Sequence, residues 1–330
     1  MKQKFIIGNS AGVFSGLITQ LSWMLVSENP ENNIDILLHT VNKTKVIGNQ
    51  YIIKPSLYGE KKRTQNLPNT DNFNLLPEFF KQNNFINYKM FDEFKYIELH
   101  PLDIFKEVDS QGEPLIKKIP DCLLYKGCDV KQYKDKENLE KIRQALNNQW
   151  NKLEFTDQFS KFAAQEESLI SGKKVLSVML RTAKHYIDPI TQKPITDSNY
   201  VIQAAIDSVK KKIDNYDSVL VVTQIKPFVD AFVKEFGNSC IFTERKRFET
   251  DCDWVGGRTK VDTKTNIVSF HKMSDEEYKI EYTNAILDVF LASKTNYILG
   301  STSNMLMGAL VMNPKMNFSF IENLSDHTGA

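Results

Sequence analysis

The stretch NYILGSTSNMLMGALVMNP, residues 296–314, decides how the rest of the chain is read. Residues 296–300 have the short apolar run of a buried strand, and Pro314 is a stop signal. Between them, Ser301-Thr302-Ser303-Asn304 opens an apolar run that reaches Met312 and has the length of a helix. A strand passing through a tight turn into a helix is the repeating joint of a parallel α/β sheet. Ser303 alone would cap that helix. The turn carries more hydrogen-bonding side chains than a cap needs. A helix N-terminus has unpaired N–H groups and a partial positive charge, so the extra hydroxyls suit an anion.

Working outward, the same joint recurs. Residues 174–180, 218–223 and 240–243 read as strands, and 199–213 as an amphipathic helix. Pro227 near a helix start and Gly237 just past its end mark another helix. Ser274 and Glu277 form a capping box for a helix reaching about residue 293. This alternation predicts a doubly wound parallel sheet in the C-terminal half. At the other end, a strand at 4–8, the loop GNSAG, an amphipathic helix at 13–26 and a strand at 33–39 predict a second parallel α/β unit. Residues 41–130 are rich in Asn, Lys, Tyr and Phe, with apolar pieces such as KYIEL (95–99), and predict loops and short elements. Residues 136–169 read as helical. The fold class expected is α/β, with two Rossmann-like domains, 1–165 and 166–330, facing a cleft.

Composition narrows the function classes. The chain has 330 residues, 41% hydrophobic and 25% charged, with a net charge of +1. Nothing in that balance calls for nucleic acid as a partner. Clusters such as Lys61-Lys62-Arg63 and Lys210-Lys211-Lys212 read as solvated faces. The cysteines, at 122, 128, 240 and 252, include no C-x-x-C pair, so neither zinc nor a disulfide scaffold is expected. No run has the length of a signal-peptide core or a membrane span, and a cytoplasmic location is the expectation.

Open α/β sheets bind ligands beyond the C-terminal ends of their strands, so the candidate residues stand there. Arg181 follows the strand at 174–180; a guanidinium at that place can hold a phosphate, or simply pair with a carboxylate. Thr223 and Gln224 follow the strand at 218–223. The first loop, with Gly8, Gly12 and Gly16, lacks the G-x-G-x-x-G spacing, though a glycine such as Gly12 lets backbone approach a ligand. Asp251-Cys252-Asp253 has a D-x-D form too short to specify a metal, and Trp254 beside it is more simply a packed ring.

Taken together, AILDVFLASKTNYILGSTSNMLMGAL (285–310), VLSVMLRTAKHY (175–186) and VLVVTQIKPFVDAF (219–232) resemble the fucosyltransferase superfamily that includes α1,6-, α1,2-, nodulation and protein O-fucosyltransferases. The family pattern is a helix with Leu-Asp and Leu-Ser, a strand and a Ser/Thr-rich turn; a strand ending in Arg-Arg-Thr-Asp or Arg-Gly-Thr-Asp; and a strand ending in Thr-Asp. The resemblance covers about residues 165–315. This chain departs from it at Val178 and Met179, where the family has a His before the Arg, and at Ala183 and Gln224, where it has Asp.

The resemblance implies a GT-B-like fold and an inverting, metal-independent glycosyltransferase that takes fucose from GDP-fucose, with no cofactor. Arg181 would hold the β-phosphate, Ser301, Thr302, Ser303 and Asn304 would wrap the pyrophosphate, and Asp288, Thr223 and Gln224 would help bind the donor. Asp188 stands where the family has a carboxylate base, with His185 as the alternative. The acceptor would be a glycan, glycolipid or protein, and a lipid-linked acceptor would bring the enzyme to a membrane surface peripherally. The missing acidic groups leave two other readings open: a different nucleotide-sugar donor, or a non-catalytic nucleotide- or glycan-binding protein on the same fold.

Overall fold

The computed structural model describes residues 3–8, 13–39, 79–81, 95–97, 108–120, 133–188, 191–249, 259–262, 267–270 and 275–326. Gly12, the cysteines at 122, 128 and 252, the Asp251-Cys252-Asp253 run, Trp254, the basic cluster at 61–63 and Ser274 lie outside the described residues. The chain falls into two compact units, each built from several stretches. The first comprises Met1–Gly127, Gln144–Phe159 and Val255–Thr283; the second Cys128–Arg143, Ser160–Trp254 and Asn284–Ala330.

In the first unit, strand β1 (Gln3–Gly8), helix α1 (Val13–Glu28) and strand β2 (Ile34–His39) form the β–α–β opening that the sequence predicts. β1 and β2 run parallel, with Gln3 opposite Ile34 and Gly8 opposite His39. β3 (Lys95–Ile97), inside the KYIEL run, pairs with the other side of β1. α1 departs from the amphipathic expectation. Phe14, Leu17, Ile18, Leu21 and Trp23 are buried, and so are Thr19, Gln20 and Ser22. A helix covered on every side must satisfy its polar groups internally, and the Ser22 hydroxyl donates to the Ile18 carbonyl at 2.9 Å. Helix α2 (Lys136–Trp150) and helix α3 (Asp157–Glu167), each with residues in both units, replace the helical stretch read at 136–169. Between them Phe155 forms a bridge with Phe80, and Thr156 Oγ1 accepts the Phe159 N–H at 3.2 Å, capping α3. Phe79, Phe80, Trp150, Phe155 and Phe159 pack there as an aromatic cluster.

The second unit holds β4 (Val175–Met179), β5 (Tyr186–Ile187), α4 (Ser198–Lys210), β6 (Ser218–Val222), α5 (Lys226–Phe236) and β7 (Cys240–Ile241). An antiparallel pair assigned to the first unit follows, β8 (Thr259–Asp262) and β9 (Ile267–Phe270). Helix α6 (Asp275–Ser293), β10 (Tyr297–Gly300), α7 (Asn304–Met312), β11 (Phe318–Phe320) and β12 (Ser325–Asp326) complete the described chain. Each strand and helix read in this half from sequence is present within a few residues of its expected bounds. Gly237 terminates α5 at φ 53°, in the left-handed region that favours glycine.

Five parallel strands form one sheet in the order β11-β10-β4-β6-β7. β4 and β6 are buried along their whole length, as parallel strands covered on both faces must be. Val178, Val219, Val221, Val201, Ala205, Phe228 and Phe232 belong to one core. Starting from β4, the chain builds toward β7, then returns to place β10 and β11 on the opposite side. With right-handed crossovers, that reversal puts the connecting helices on opposite faces of the sheet. The α/β, doubly wound expectation therefore holds. The order reverses between β4 and β10, and such a reversal opens a crevice at the C-terminal ends of the two strands.

Candidate functional site

The reversal fixes which candidates become neighbours in topology. Arg181 follows β4, residues 301–304 follow β10, and Thr223 and Gln224 follow β6, the three central strands of the sheet. Register supports this: Leu299 lies opposite Val178, and Met179 opposite Val222.

The turn after β10 is built for its helix. Ser303 is the cap of α7: its hydroxyl accepts the Leu306 N–H at 3.2 Å, and its carbonyl accepts the Met307 N–H at 3.0 Å. Ser301 does something else. It is 5% exposed, and its hydroxyl finds no hydrogen-bonding partner among the described residues. A buried polar atom left unpaired costs about 1–3 kcal/mol, so the position is not explained by folding. Thr302 and Asn304 are half-buried.

Beyond β4 the backbone is held tightly. The Leu180 N–H donates to the Val222 carbonyl at 2.9 Å, and the Arg181 N–H donates to the buried Tyr186 hydroxyl at 3.0 Å. Ala183, two residues past Arg181, is buried in the core and serves packing. Thr182 Oγ1 lies 2.6 Å from His185 Nδ1, which fixes the ring. Asp188 Oδ1 accepts the Thr191 N–H at 3.1 Å in the loop that follows. The catalytic candidates Arg181, His185 and Asp188 thus sit on one short segment leading out of β4.

After β6, Thr223 is buried and its hydroxyl accepts the Ile225 N–H at 3.2 Å, whereas Gln224 is exposed. The backbone here is laced to a second segment: the Phe248 N–H donates to the Gln224 carbonyl and the Lys226 N–H to the Phe248 carbonyl.

That second segment carries residues which the sequence reading missed. Arg247 donates through Nε to the Thr223 carbonyl at 3.2 Å and through Nη2 to Thr243 Oγ1 at 3.2 Å. Arg245, its side chain 6% exposed, places Nη2 at 3.2 Å from Asp288 Oδ1 and 4.0 Å from Glu166 Oε1. It also donates to the Asn284 carbonyl. Thr243 adds its hydroxyl to Asp288 Oδ1 at 3.4 Å. Asp288, 5% exposed, is thus braced through one carboxylate oxygen. Burial pushes its carboxyl up to about 6, outweighing the opposing pull of Arg245 and Arg247. Glu166 is raised by burial in the same way. TERKRF (243–248) carries no motif that marks it as a site. The available signal was its place directly after a strand, the rule that singled out Arg181.

Of the two basic clusters, the described one behaves as expected. Lys210 pairs with Glu235, Lys211 with Glu322, and Lys212 stands over the Tyr297 ring at 4.8 Å. Among the described residues, no helix is long and apolar enough to cross a membrane. Cys240 is free, with its thiol pushed up to about 11 by burial.

No protein-family model matches the sequence, and no curated protein matches it. Solved structures do match in fold. The selenomethionine form of the fucosyltransferase NodZ from Bradyrhizobium superposes with a TM-score of 0.53 at 11% identity, covering 98% of this chain and 98% of that one. A second structure of NodZ from Bradyrhizobium gives 0.52 at 11% identity over 95% and 94% of the two chains. NodZ α-1,6-fucosyltransferase co-crystallised with GDP gives 0.51 at 12% identity over 97% and 96%. Identities this low speak for the fold alone, and over nearly its whole length this chain has the fold of the fucosyltransferase NodZ.

Proposed function

We propose that this protein is a glycosyltransferase that moves fucose from GDP-fucose to a hydroxyl of a glycan, glycolipid or protein, with inversion and without a metal. The observation that carries the reading is the Ser301 hydroxyl, buried without a partner among the described residues at the N-terminus of α7, where the strand order reverses. A diphosphate oxygen would pair it while meeting the positive end of the helix. The fold shared with a GDP-bound α-1,6-fucosyltransferase supports the same ligand class.

In this reading the first-turn N–H groups of α7, Ser301, Thr302 and Asn304 hold the pyrophosphate. Arg181 neutralises charge on the β-phosphate as the sugar–oxygen bond breaks. Fixed donors aimed at developing charge supply the stabilisation that a metal otherwise gives. His185 or Asp188 takes the proton from the acceptor hydroxyl. Asp288, Thr223 and Gln224 line the nucleoside side of the site. Ala183 and Gln224, standing where related motifs carry acids, favour a second reading in which the donor is another nucleotide sugar.

A donor panel tests this. Purified protein should release GDP from GDP-fucose, and Arg181→Ala should lower that rate by at least about a hundredfold, the scale of losing one transition-state donor. Release from a different donor alone would replace fucose with that sugar. Absence of GDP binding would sink the reading altogether.

A further inference from the structure

Helix α7 is gripped at both ends by one short stretch of chain, residues 128–143, which precedes the rest of its unit in sequence. At the C-terminal end, Arg143 Nη2 donates to the Met316 carbonyl at 2.8 Å and to the Asn313 carbonyl at 3.3 Å. At the N-terminal end, the Tyr133 hydroxyl donates to the Ser303 carbonyl at 2.7 Å. Tyr133 is 4% exposed. Its ring meets Phe318 edge-on at 6.1 Å and Phe320 at 5.7 Å, and those two rings meet each other at 5.8 Å. Both phenylalanines belong to β11, where Phe320 pairs with Gly300, the last residue before the turn.

Geometry gives this contact a role beyond filling the core. Ser303 is the cap, and its carbonyl already accepts the Met307 N–H that closes the first turn. The Tyr133 hydroxyl loads the second lone pair of that carbonyl and ties it to a rigid aromatic wedge beside β10. The carbonyl of one peptide and the N–H of the next lie in one plane. Fixing the Ser303 carbonyl therefore fixes the direction of the Asn304 N–H, the first donor of α7. We propose that Tyr133 is a positioning residue for the anion site at the N-terminus of α7, aiming its backbone donors at a diphosphate. The inference rests on the proposed GDP-sugar site and adds the residue that orients it.

The test compares GDP with guanosine, which share a base and ribose and differ in the diphosphate. Tyr133→Phe removes one oxygen and keeps the ring. It should weaken GDP binding by about five- to tenfold, the loss expected of one oriented hydrogen bond, and leave guanosine affinity unchanged. Arg143→Met releases the opposite end of α7 and keeps the Tyr133 hydroxyl and its ring packing; it should lower the melting temperature while preserving the ratio of GDP to guanosine affinity. If Tyr133→Phe binds GDP as wild type does, or loses GDP and guanosine in equal proportion, the positioning role is overturned and the GDP reading stands. If wild type binds no GDP, both fall together.

Discussion

Asp288 is a carboxylate whose chemistry is set by where it is buried. Its ordinary pKa is near 3.8, and in the fold it rises to about 6 because desolvation outweighs Arg245 and Arg247. The sign of the consequence follows from linkage. Between about pH 4 and 6 the folded state binds a proton that the unfolded state has released, so this group favours folding as the pH falls through that window. It costs stability as the pH rises through 6. Asp288→Asn removes the titration. The stability of wild type relative to this variant should therefore fall by about 1–3 kcal/mol between pH 4 and 7, as read by denaturant unfolding at each pH. A pH-independent difference would show that the carboxylate does not titrate in that range. The residue is placed on α6 by sequence, but its partners Thr243 and Arg245 follow β7, and Glu166, which shares Arg245 with it, lies on α3. No local pattern announces such a cluster, because a buried ion pair is made by tertiary packing between charges that look solvated one at a time.

At the scale of an element, α7 separates two uses of the same chemical group. Ser303 and Ser301 both carry buried hydroxyls two residues apart. One accepts the Leu306 N–H and the other finds no partner among the described residues. Ser303→Ala should cost about 1 kcal/mol of stability, the usual loss for an N-cap, seen as a lower melting temperature. Ser301→Ala should cost none, since it deletes an unsatisfied buried oxygen, yet weaken GDP binding by about tenfold in calorimetry. Equal thermal losses in both variants would make Ser301 a second cap and remove it from the site. The stretch itself was legible: an apolar strand, a surplus of hydroxyls, a helix and a proline stop are all local features. Local sequence also marked α5, through Pro227 and Gly237. It failed at α1, where periodic apolar residues suggested one wet face and the packing covers Thr19, Gln20 and Ser22 as well. It failed again across 151–156, where the bridge between Phe155 and Phe80 interrupts a stretch of good helix formers.

Across the whole molecule, a ligand at one place should leave a graded record. A nucleotide bound at the strand ends stabilises the folded state by about 2.7 kcal/mol at a hundredfold excess over Kd. Hydrogen exchange with and without GDP should show protection in the second unit, strongest just after β4, β6 and β10, with much less in β1, α1 and β2. Uniform protection, or protection centred on the first unit, would contradict the site. The sequence by itself determined the alternation of strands and helices, the parallel character of the three- and five-stranded sheets and the residues standing just past three strand ends, because these follow from periodicity, caps and turn chemistry within short windows. Only the tertiary structure decided the strand order β11-β10-β4-β6-β7, which puts the reversal between Arg181 and Ser301. It also decided the salt-bridged cluster around Asp288 and the grip of Tyr133 on Ser303, a hydrogen bond between residues 170 positions apart. Contacts of that span are set by how elements pack, and no window of local sequence contains both partners.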